Sequence, residues 1–150
     1  MKRCFFIGHR FIAEDKYPVL LQTVEKVIKR GVDEFIVGHY GAFDQMAARA
    51  VKEIKKKYSV RLTQLLPYHP SLRPIELLQG FDESYYPTGM EKVPMRLAIV
   101  QANRQAIDIS DYVIAYVVNS AGNSSKILEY AQRQQKNRTL IIYNIGELKG

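Results

Sequence analysis

The segment 34–58 constrains the fold most, because it has the pattern of a strand, a tight turn and a helix. Its strand is a short apolar run that ends at Gly38, and the residues after the turn repeat apolar side chains at spacings of three and four. These side chains share one helical face: Phe43, Ala47, Ala50, Val51, Ile54 and Tyr58. Gly38 and Gly41 permit the sharp reversal. The first helical turn leaves backbone N–H groups unpaired, so the joint is a candidate phosphate site, with plain chain reversal as the alternative.

The rest of the chain repeats this alternation of apolar strands and amphipathic helices. Further strands are predicted at 3–7, 60–66, 111–118 and 139–143, and further helices at 15–30, at 95–109 and in a segment ending near 135. Gly31 follows the first of these helices in the position of a left-handed cap. Strands that alternate with helices form a parallel sheet covered on both faces. We therefore predict an α/β fold, a Rossmann-like three-layer sandwich with a parallel sheet of about five strands in the order 3-2-1-4-5 and helices on both faces.

Length and composition indicate a single domain with one unusual segment. At 150 residues and 47% hydrophobic content, the chain has the size of one domain, 1–150, that buries its own core. Within it, 67–94 is rich in proline and aromatic residues, and a short helix is predicted at 74–79 because Pro74 suits its start and Gly80 its end. Long loops in compact domains are commonly lids or binding loops, so this segment fits a lid-like insertion. The alternative is an aromatic-rich plug that completes the core.

Composition also limits the function classes. No stretch resembles a signal peptide or a membrane span, so a cytoplasmic location is expected. Cys4 is the single cysteine and lies in the first apolar run, which excludes an intrachain disulfide and a cysteine-based metal cage. A formal charge of +7 suits nucleic acid, and it suits a small anionic ligand equally well.

The predicted topology brings three loops to one edge of the sheet. Ligands of open parallel sheets bind beyond the carboxyl ends of the strands, where the strand order reverses. In the predicted order that crevice gathers 8–10, 38–44 and 119–125. Ser124 or Ser125 can cap the helix that follows and still offer a hydroxyl to phosphate. Asn103 lies on the predicted apolar stripe of its helix with Val100 and Ile107, so its amide must bond to the backbone or to a ligand.

Several short motifs run through the chain in a fixed order: Ile7-Gly8-His9-Arg10, then Gly38 and Gly41-Ala42-Phe43-Asp44 with Ala47-Ala48, then Asn103-Arg104 with Asp108 and Ser110-Asp111, and finally Gly122 leading to Glu129-Tyr130-Ala131. Taken together they resemble the SLOG superfamily, a Rossmann-like group that includes the Lonely Guy phosphoribohydrolases and the nucleotide-binding domain of the DNA-processing protein DprA. Within that group the chain is most similar to the small stand-alone bacterial and phage members.

The resemblance implies a pocket for a small nucleotide or an NAD-derived ligand of the ADP-ribose type, in a homodimer or higher homo-oligomer. Binding for sensing or sequestration is the favoured function. The alternatives are an enzyme that hydrolyses or transfers an N-glycosidic bond, and a binder of single-stranded nucleic acid. Glu129 falls one position later than the glutamate of the Lonely Guy motif PGGxGTxxE, and 120–126 lacks its glycines, which argues against phosphoribohydrolase activity. No cofactor and no membrane partner are expected.

The candidate site residues come from all of these loops. Those expected to bind the ligand or its phosphate are Gly8, His9, Arg10, Gly38, His39, Gly41, Phe43, Asp44, Asn103, Arg104, Asn119, Gly122, Asn123, Ser124 and Ser125. Asp44 and Glu129 are the candidate carboxylates if the protein is an enzyme. His9, His39 and His69 each follow a predicted strand, but no HxH or HExxH spacing supports zinc, so no metal is expected.

Overall fold

The structure, a computed structural model, describes residues 1–38, 41–73, 76–120 and 122–147. Within those ranges the strands are β1 (Lys2–Gly8), β2 (Val32–Val37), β3 (Arg61–Leu65), β4 (Glu83–Tyr85), β5 (Tyr112–Tyr116) and β6 (Ile141–Asn144). The α-helices are α1 (Tyr17–Lys29), α2 (Ala42–Ile54), α3 (Ala98–Asp108) and α4 (Asn123–Gln134), and 3₁₀ turns occupy Glu14–Lys16, Met90–Lys92 and Met95–Leu97. None of the described helices combines the length and the apolar character needed to cross a bilayer.

The strands form one parallel sheet in the order β4-β3-β2-β1-β5-β6. β1 lies in the interior of the sheet, because Phe5 pairs with Ile36 of β2 on one side and with Val113 of β5 on the other. The predicted α/β class and parallel sheet are confirmed. The prediction of about five strands in the order 3-2-1-4-5 is corrected to six strands, because β4 extends the β3 edge while the other five keep their predicted neighbours.

β4 is the strand that the sequence pattern did not indicate. It has three residues, too few for the alternation of apolar and polar side chains to show, and it lies in the proline-rich segment. Hydrogen bonds with β3 hold it at the edge of the sheet: Asp82 N–H donates to the Leu62 carbonyl at 2.8 Å, and Leu66 N–H donates to the Tyr85 carbonyl at 2.8 Å. Pairing with a distant strand, and not local propensity, therefore creates β4.

Helices cover both faces of the sheet, which gives three layers. On one face α1 and α2 pack together, and Val24 and Val51 belong to one buried cluster. On the other face α3 and α4 pack together, and Ala106 and Ile127 belong to a second cluster. Side chains along β1 alternate between the two clusters, so Phe6 faces the first and its neighbours face the second.

Two helices begin later than predicted, because each is preceded by a 3₁₀ turn. The helix predicted at 15–30 starts as Glu14–Lys16 before α1, and the helix predicted at 95–109 starts as Met95–Leu97 before α3. Gly31 follows α1 with a φ of +107°, which confirms the predicted left-handed cap.

Segment 67–94 contributes apolar side chains to both buried clusters, while Leu72 and Leu77 are exposed. Phe81 belongs to the cluster under α1 and α2, and Met90 belongs to the cluster under α3 and α4. Three tyrosines of the segment pack against the second cluster: Tyr68, Tyr85 and Tyr86. Of the helix predicted at 74–79, Pro74 and Ile75 lie outside the described residues, and 76–79 contains no helix. The helix prediction is therefore wrong over 76–79. Contacts with β3 and with the core, and not a helical repeat of apolar residues, determine the backbone conformation there.

Candidate functional site

A hollow of about 980 Å³ lies beyond the carboxyl ends of β1, β2 and β5. Its walls are the loops after β1 and β5, the starts of α2 and α4, and one side of α3. Several predicted ligand-binding residues line it: Gly8, His9, Arg10, Gly38, Gly41, Asp44, Asn103, Asn119, Gly122, Asn123 and Ser124. The hollow straddles the edge of the sheet, because α2 lies on one face and α3 and α4 lie on the other.

Phe43 lies outside the lining and supports the site from beneath. It is fully buried, and its ring centroid lies 6.1 Å from that of Tyr116 on β5. A Cβ on Gly8 would lie 2.2 Å from the Phe43 ring, so glycine is required at the end of β1 for this close packing. Phe43 was predicted to contact the ligand. The structure corrects this to a core position, because Phe43 lies on the side of α2 that faces the sheet.

Three further candidates lie away from the hollow. The Arg104 guanidinium lies over the Tyr130 ring, 5.2 Å from its centroid. Ser125 donates its hydroxyl to a backbone carbonyl of its own loop at 3.0 Å, and Glu129 is exposed on α4 without lining the hollow. Each helical residue is turned by about 100° from the one before it, so Arg104 points away from the side of Asn103 on α3, and Ser125 and Glu129 point away from the side of Ser124 on α4. His39 lies outside the described residues.

Backbone contacts to α2 hold Arg10 in place. Its carbonyl accepts a hydrogen bond from Ala42 N–H at 2.9 Å, and a Cβ on Gly41 would lie 2.9 Å from the Arg10 Cα. Gly41 has an extended backbone, so glycine is needed here for close approach and not for an unusual conformation. The Arg10 side chain is exposed at the hollow. Because the Ala42 amide is already bonded, the predicted phosphate position at the start of α2 loses one of its donors.

His9 connects the loop after β1 to the loop after β5 and to α4. Val118 N–H donates to His9 Nε2 at 2.9 Å, so Nε2 carries no proton. The neutral ring then carries its proton on Nδ1, which lies 2.7 Å from Ser124 Oγ and donates to it. Ser124 keeps its own hydroxyl hydrogen, which is available to a ligand. In this arrangement His9 orients Ser124 and does not act as its general base.

The start of α4 also opens to the hollow, with Gly122, Asn123 and Ser124 in the lining. Gly122 precedes it with a φ of +80°, a conformation that glycine adopts without strain. No side chain caps the first turn of α4 among the described residues. The first N–H groups of a helix and its dipole together favour an anion. The start of α4 is therefore a better phosphate position than the start of α2.

Phe11 and Arg96 line the hollow and were not predicted from the sequence. Phe11 follows Arg10 directly and is 85% exposed. An aromatic residue beside a candidate arginine is the sequence signal that could have identified it. Arg96 lies in the 3₁₀ turn before α3, and its place depends on how α3 crosses the sheet, which no local pattern shows. Among the described lining residues, the formal charges are those of Arg10, Arg96 and Asp44, so the hollow has a net positive charge.

The side of the hollow next to α3 is apolar, with Ile99, Val100 and Ile127 in its lining. The predicted buried stripe of α3 is corrected, because Val100 and Asn103 are half-buried at the hollow. The predicted burial of Ile107 is confirmed, and the other buried residues of α3 are Ala98, Ala102 and Ala106. Alanines at intervals of four face the second buried cluster, and Asn103 lies on another side of α3, at the hollow.

Reactive side chains do not form a recognisable catalytic or metal centre within the described part of the chain. It holds no group of three or more His, Cys, Asp or Glu side chains that suits a metal ion. His69 Nδ1 lies 2.6 Å from the Ser71 hydroxyl, and His69 does not line the hollow. Cys4 is fully buried, and burial raises the pKa of its thiol, which keeps the sulfur protonated and unreactive.

Comparisons with known proteins identify the fold. No protein-family model matches the sequence, and no curated protein matches it. Among solved structures, the match to DNA processing protein A from Helicobacter pylori has a TM-score of 0.62 at 17% sequence identity and covers 94% of this chain. This chain shares its fold with DNA processing protein A. The match covers 64% of DNA processing protein A, less than two thirds, and that structure is described for its unique mode of binding single-stranded DNA.

Proposed function

We propose that this protein binds a nucleotide, with its phosphate held where β1, β5 and α4 meet. The observation that supports this most is the convergence of three anion-binding groups on one hollow: the Arg10 guanidinium, the Ser124 hydroxyl and the uncapped first turn of α4. Proteins bind phosphate with these groups, and charge-assisted hydrogen bonds from arginine are the strongest of them. A phosphate group therefore matches this side of the hollow.

Size and lining favour a ligand larger than free phosphate. The volume of about 980 Å³ lies near the upper end of the roughly 300–1,000 Å³ range of small-molecule sites. The apolar side, with Ile99, Val100 and Ile127, suits the face of a base. A nucleotide, or an NAD-derived ligand of the ADP-ribose type, combines an anionic part with an aromatic part and so matches both sides. Sensing or sequestration of such a ligand is the function that we infer.

Single-stranded nucleic acid is a second candidate, which the exposure of Phe11 favours. An exposed aromatic ring beside a positively charged groove is a stacking platform for successive bases. Phe11 is 85% exposed and follows Arg10 directly. The shared fold with DNA processing protein A, whose structure was described for its binding of single-stranded DNA, agrees with this candidate.

An N-glycosidic hydrolase or transferase is less well supported by the geometry. Such an enzyme needs a carboxylate beside the bond that breaks. Of the two candidate carboxylates, Asp44 lines the hollow and Glu129 does not. The enzymatic reading therefore depends on Asp44, and chromatography of each bound ligand after incubation with wild-type protein and with Asp44→Asn tests it through the release of free base.

A thermal-shift screen tests nucleotide binding directly. The probes are AMP, ADP-ribose, cyclic ADP-ribose, NAD and cyclic dinucleotides. Ligand-linked stabilisation grows with the ratio of free ligand to dissociation constant, so a bound probe raises the melting temperature in a concentration-dependent way. If none of these probes raises the melting temperature, the proposal fails.

The Arg10→Ala variant tests the position of the phosphate. Loss of a charge-assisted hydrogen bond is expected to weaken a phosphate-bearing probe by ~1.5–3 kcal/mol, measured by isothermal titration. Arg30→Ala is the matched control, because Arg30 is exposed just after α1, away from the hollow, and its loss changes the net charge equally. Equal affinities for wild-type protein and Arg10→Ala would remove Arg10 from the site.

A further inference from the structure

Asn103 presents a side-chain amide to the apolar side of the hollow. It shares the lining with Ile99 and Val100, which precede it on α3 by four and three positions, and with Ile127 of α4. Residues at these spacings are neighbours on one face of a helix. The Asn103 side chain is half-buried, and it forms no hydrogen bond with any residue that the structure describes.

Two other half-buried side-chain amides, those of Asn144 and Gln105, bond to the backbone. Asn144 accepts a hydrogen bond from Val117 N–H at 3.1 Å and donates to the Val117 carbonyl at 2.9 Å. Gln105, two residues after Asn103 on α3, donates to the Thr88 carbonyl at 3.1 Å. Buried and half-buried polar groups are normally satisfied. The amide of Asn103 is thus placed to bond to a molecule in the hollow.

We infer that Asn103 recognises the edge of the bound base and that the preferred base is adenine. An amide offers an N–H donor and a C=O acceptor side by side. Adenine presents the complementary pair, its 6-amino donor beside a ring-nitrogen acceptor, and asparagine pairs with it through two hydrogen bonds.

The surroundings of Asn103 suit this role. Ile99, Val100 and Ile127 are apolar and cover the faces of a flat base, which displaces water from the hydrogen bonds at its edge. The inference rests on the proposed function, because a phosphate bound near Ser124 and Arg10 directs the base towards α3. Asn103 thereby becomes the residue that sets base specificity, and Arg10 and Ser124 bind a group common to all nucleotides.

A cycle of ligand and protein changes tests the inference. The probes are AMP, purine riboside 5′-monophosphate, which lacks the 6-amino group, and ribose 5-phosphate, which lacks the base. In wild-type protein we expect AMP to bind about tenfold more tightly than purine riboside 5′-monophosphate, since a bidentate pair contributes a discrimination of this order. In Asn103→Leu, which has a similar volume and no amide, we expect this ratio to fall to about one, with the affinity for ribose 5-phosphate unchanged.

Controls separate base recognition from a general disturbance of α3. Arg104→Ala changes the next residue on α3, which lies outside the hollow, and is expected to keep the wild-type ratio of the affinities for AMP and purine riboside 5′-monophosphate. If the leucine variant is unfolded, Asn103→Ala takes its place. An unchanged ratio in the Asn103 variant, or equal wild-type affinities for AMP and ribose 5-phosphate, overturns the inference and leaves phosphate binding standing. If wild-type protein binds none of the three probes, the proposed function fails together with the inference.

Discussion

At the level of single residues, Gly41 determines where Arg10 can lie. A Cβ at position 41 would lie 2.9 Å from the Arg10 Cα, so Gly41→Ala must displace the backbone of the loop that carries the guanidinium. We expect weaker binding of AMP, in the same direction as Arg10→Ala. The loss of unfolding free energy should be ~1 kcal/mol or more, because the atom that the new Cβ would meet belongs to the backbone. Isothermal titration and urea unfolding measure the two effects.

Gly89 provides the matched control for Gly41. Its φ is +84°, so Gly89→Ala strains the backbone and is expected to lower stability by ~1 kcal/mol. A Cβ there would meet no atom within 4 Å, and Gly89 does not line the hollow, so the affinity for AMP should not change. If the two variants lost AMP affinity equally, close approach at Gly41 would not explain the effect.

At the level of elements, the connection between β3 and β4 depends on Asp82. Its Oδ2 accepts hydrogen bonds from Lys55 Nζ at 2.6 Å and from Leu62 N–H at 2.8 Å, which ties the end of α2 to both strands. Partial burial raises the pKa of the Asp82 carboxyl, but the hydrogen bonds from Lys55 and Leu62 outweigh burial and hold the pKa below its ordinary value of 3.8. The charged form is therefore the one that stabilises the fold.

We expect Asp82→Ala to lower the free energy of unfolding by ~1–2 kcal/mol at neutral pH, since it leaves the Leu62 N–H without its partner. The pKa of Asp82 is lower in the folded state than in the unfolded state, so the carboxylate stabilises the fold at pH values above 3.8. This contribution disappears as the pH falls through the folded-state pKa. Urea unfolding at neutral and at strongly acidic pH should show the difference between wild type and variant becoming smaller in acid. A difference that stays constant would mean that packing, and not charge, carries the effect.

At the level of the whole molecule, the formal charge of +7 allows two kinds of anionic ligand, and salt distinguishes them. Binding of single-stranded nucleic acid falls with salt with a slope of about −0.7 per phosphate contacted. With about four contacts, affinity should fall roughly fiftyfold between ~50 and ~200 mM salt, whereas the affinity for AMP, which has no condensed counterion atmosphere, should depend on salt much less. Fluorescence anisotropy of a labelled oligonucleotide and titration of AMP measure these slopes.

Arg10→Ala sharpens the salt experiment. If an oligonucleotide occupies the hollow, this variant should reduce the magnitude of its salt slope by about 0.7, the contribution of one phosphate contact. Arg30→Ala, which lowers the net charge by the same amount as Arg10→Ala, should leave the slope unchanged. Equal slopes for all three proteins would mean that nucleic acid binds elsewhere on the surface.

The sequence by itself determined the α/β class, the parallel sheet and the neighbours of five strands, because these follow from local periodicity and from the short-range rules of strand–helix–strand connections. It also indicated the loops after β1 and β5, since glycines and small polar residues at strand ends are a local signal. The left-handed cap at Gly31 was also predictable from local sequence, because a glycine directly after an amphipathic helix indicates such a cap without any knowledge of the tertiary structure.

Only the tertiary structure decided which groups face the hollow. The Arg10 carbonyl bonds to Ala42 N–H, His9 bonds to Val118 N–H and Ser124, and β4 exists through its pairing with β3. Each of these depends on a distance between residues far apart in the chain, and hydrogen-bond strength falls within tenths of an ångström. Residue spacing specifies directions along one helix or strand. The packing of α3 and α4 on the sheet sets the distances between elements, and those distances bring Arg96 to the hollow.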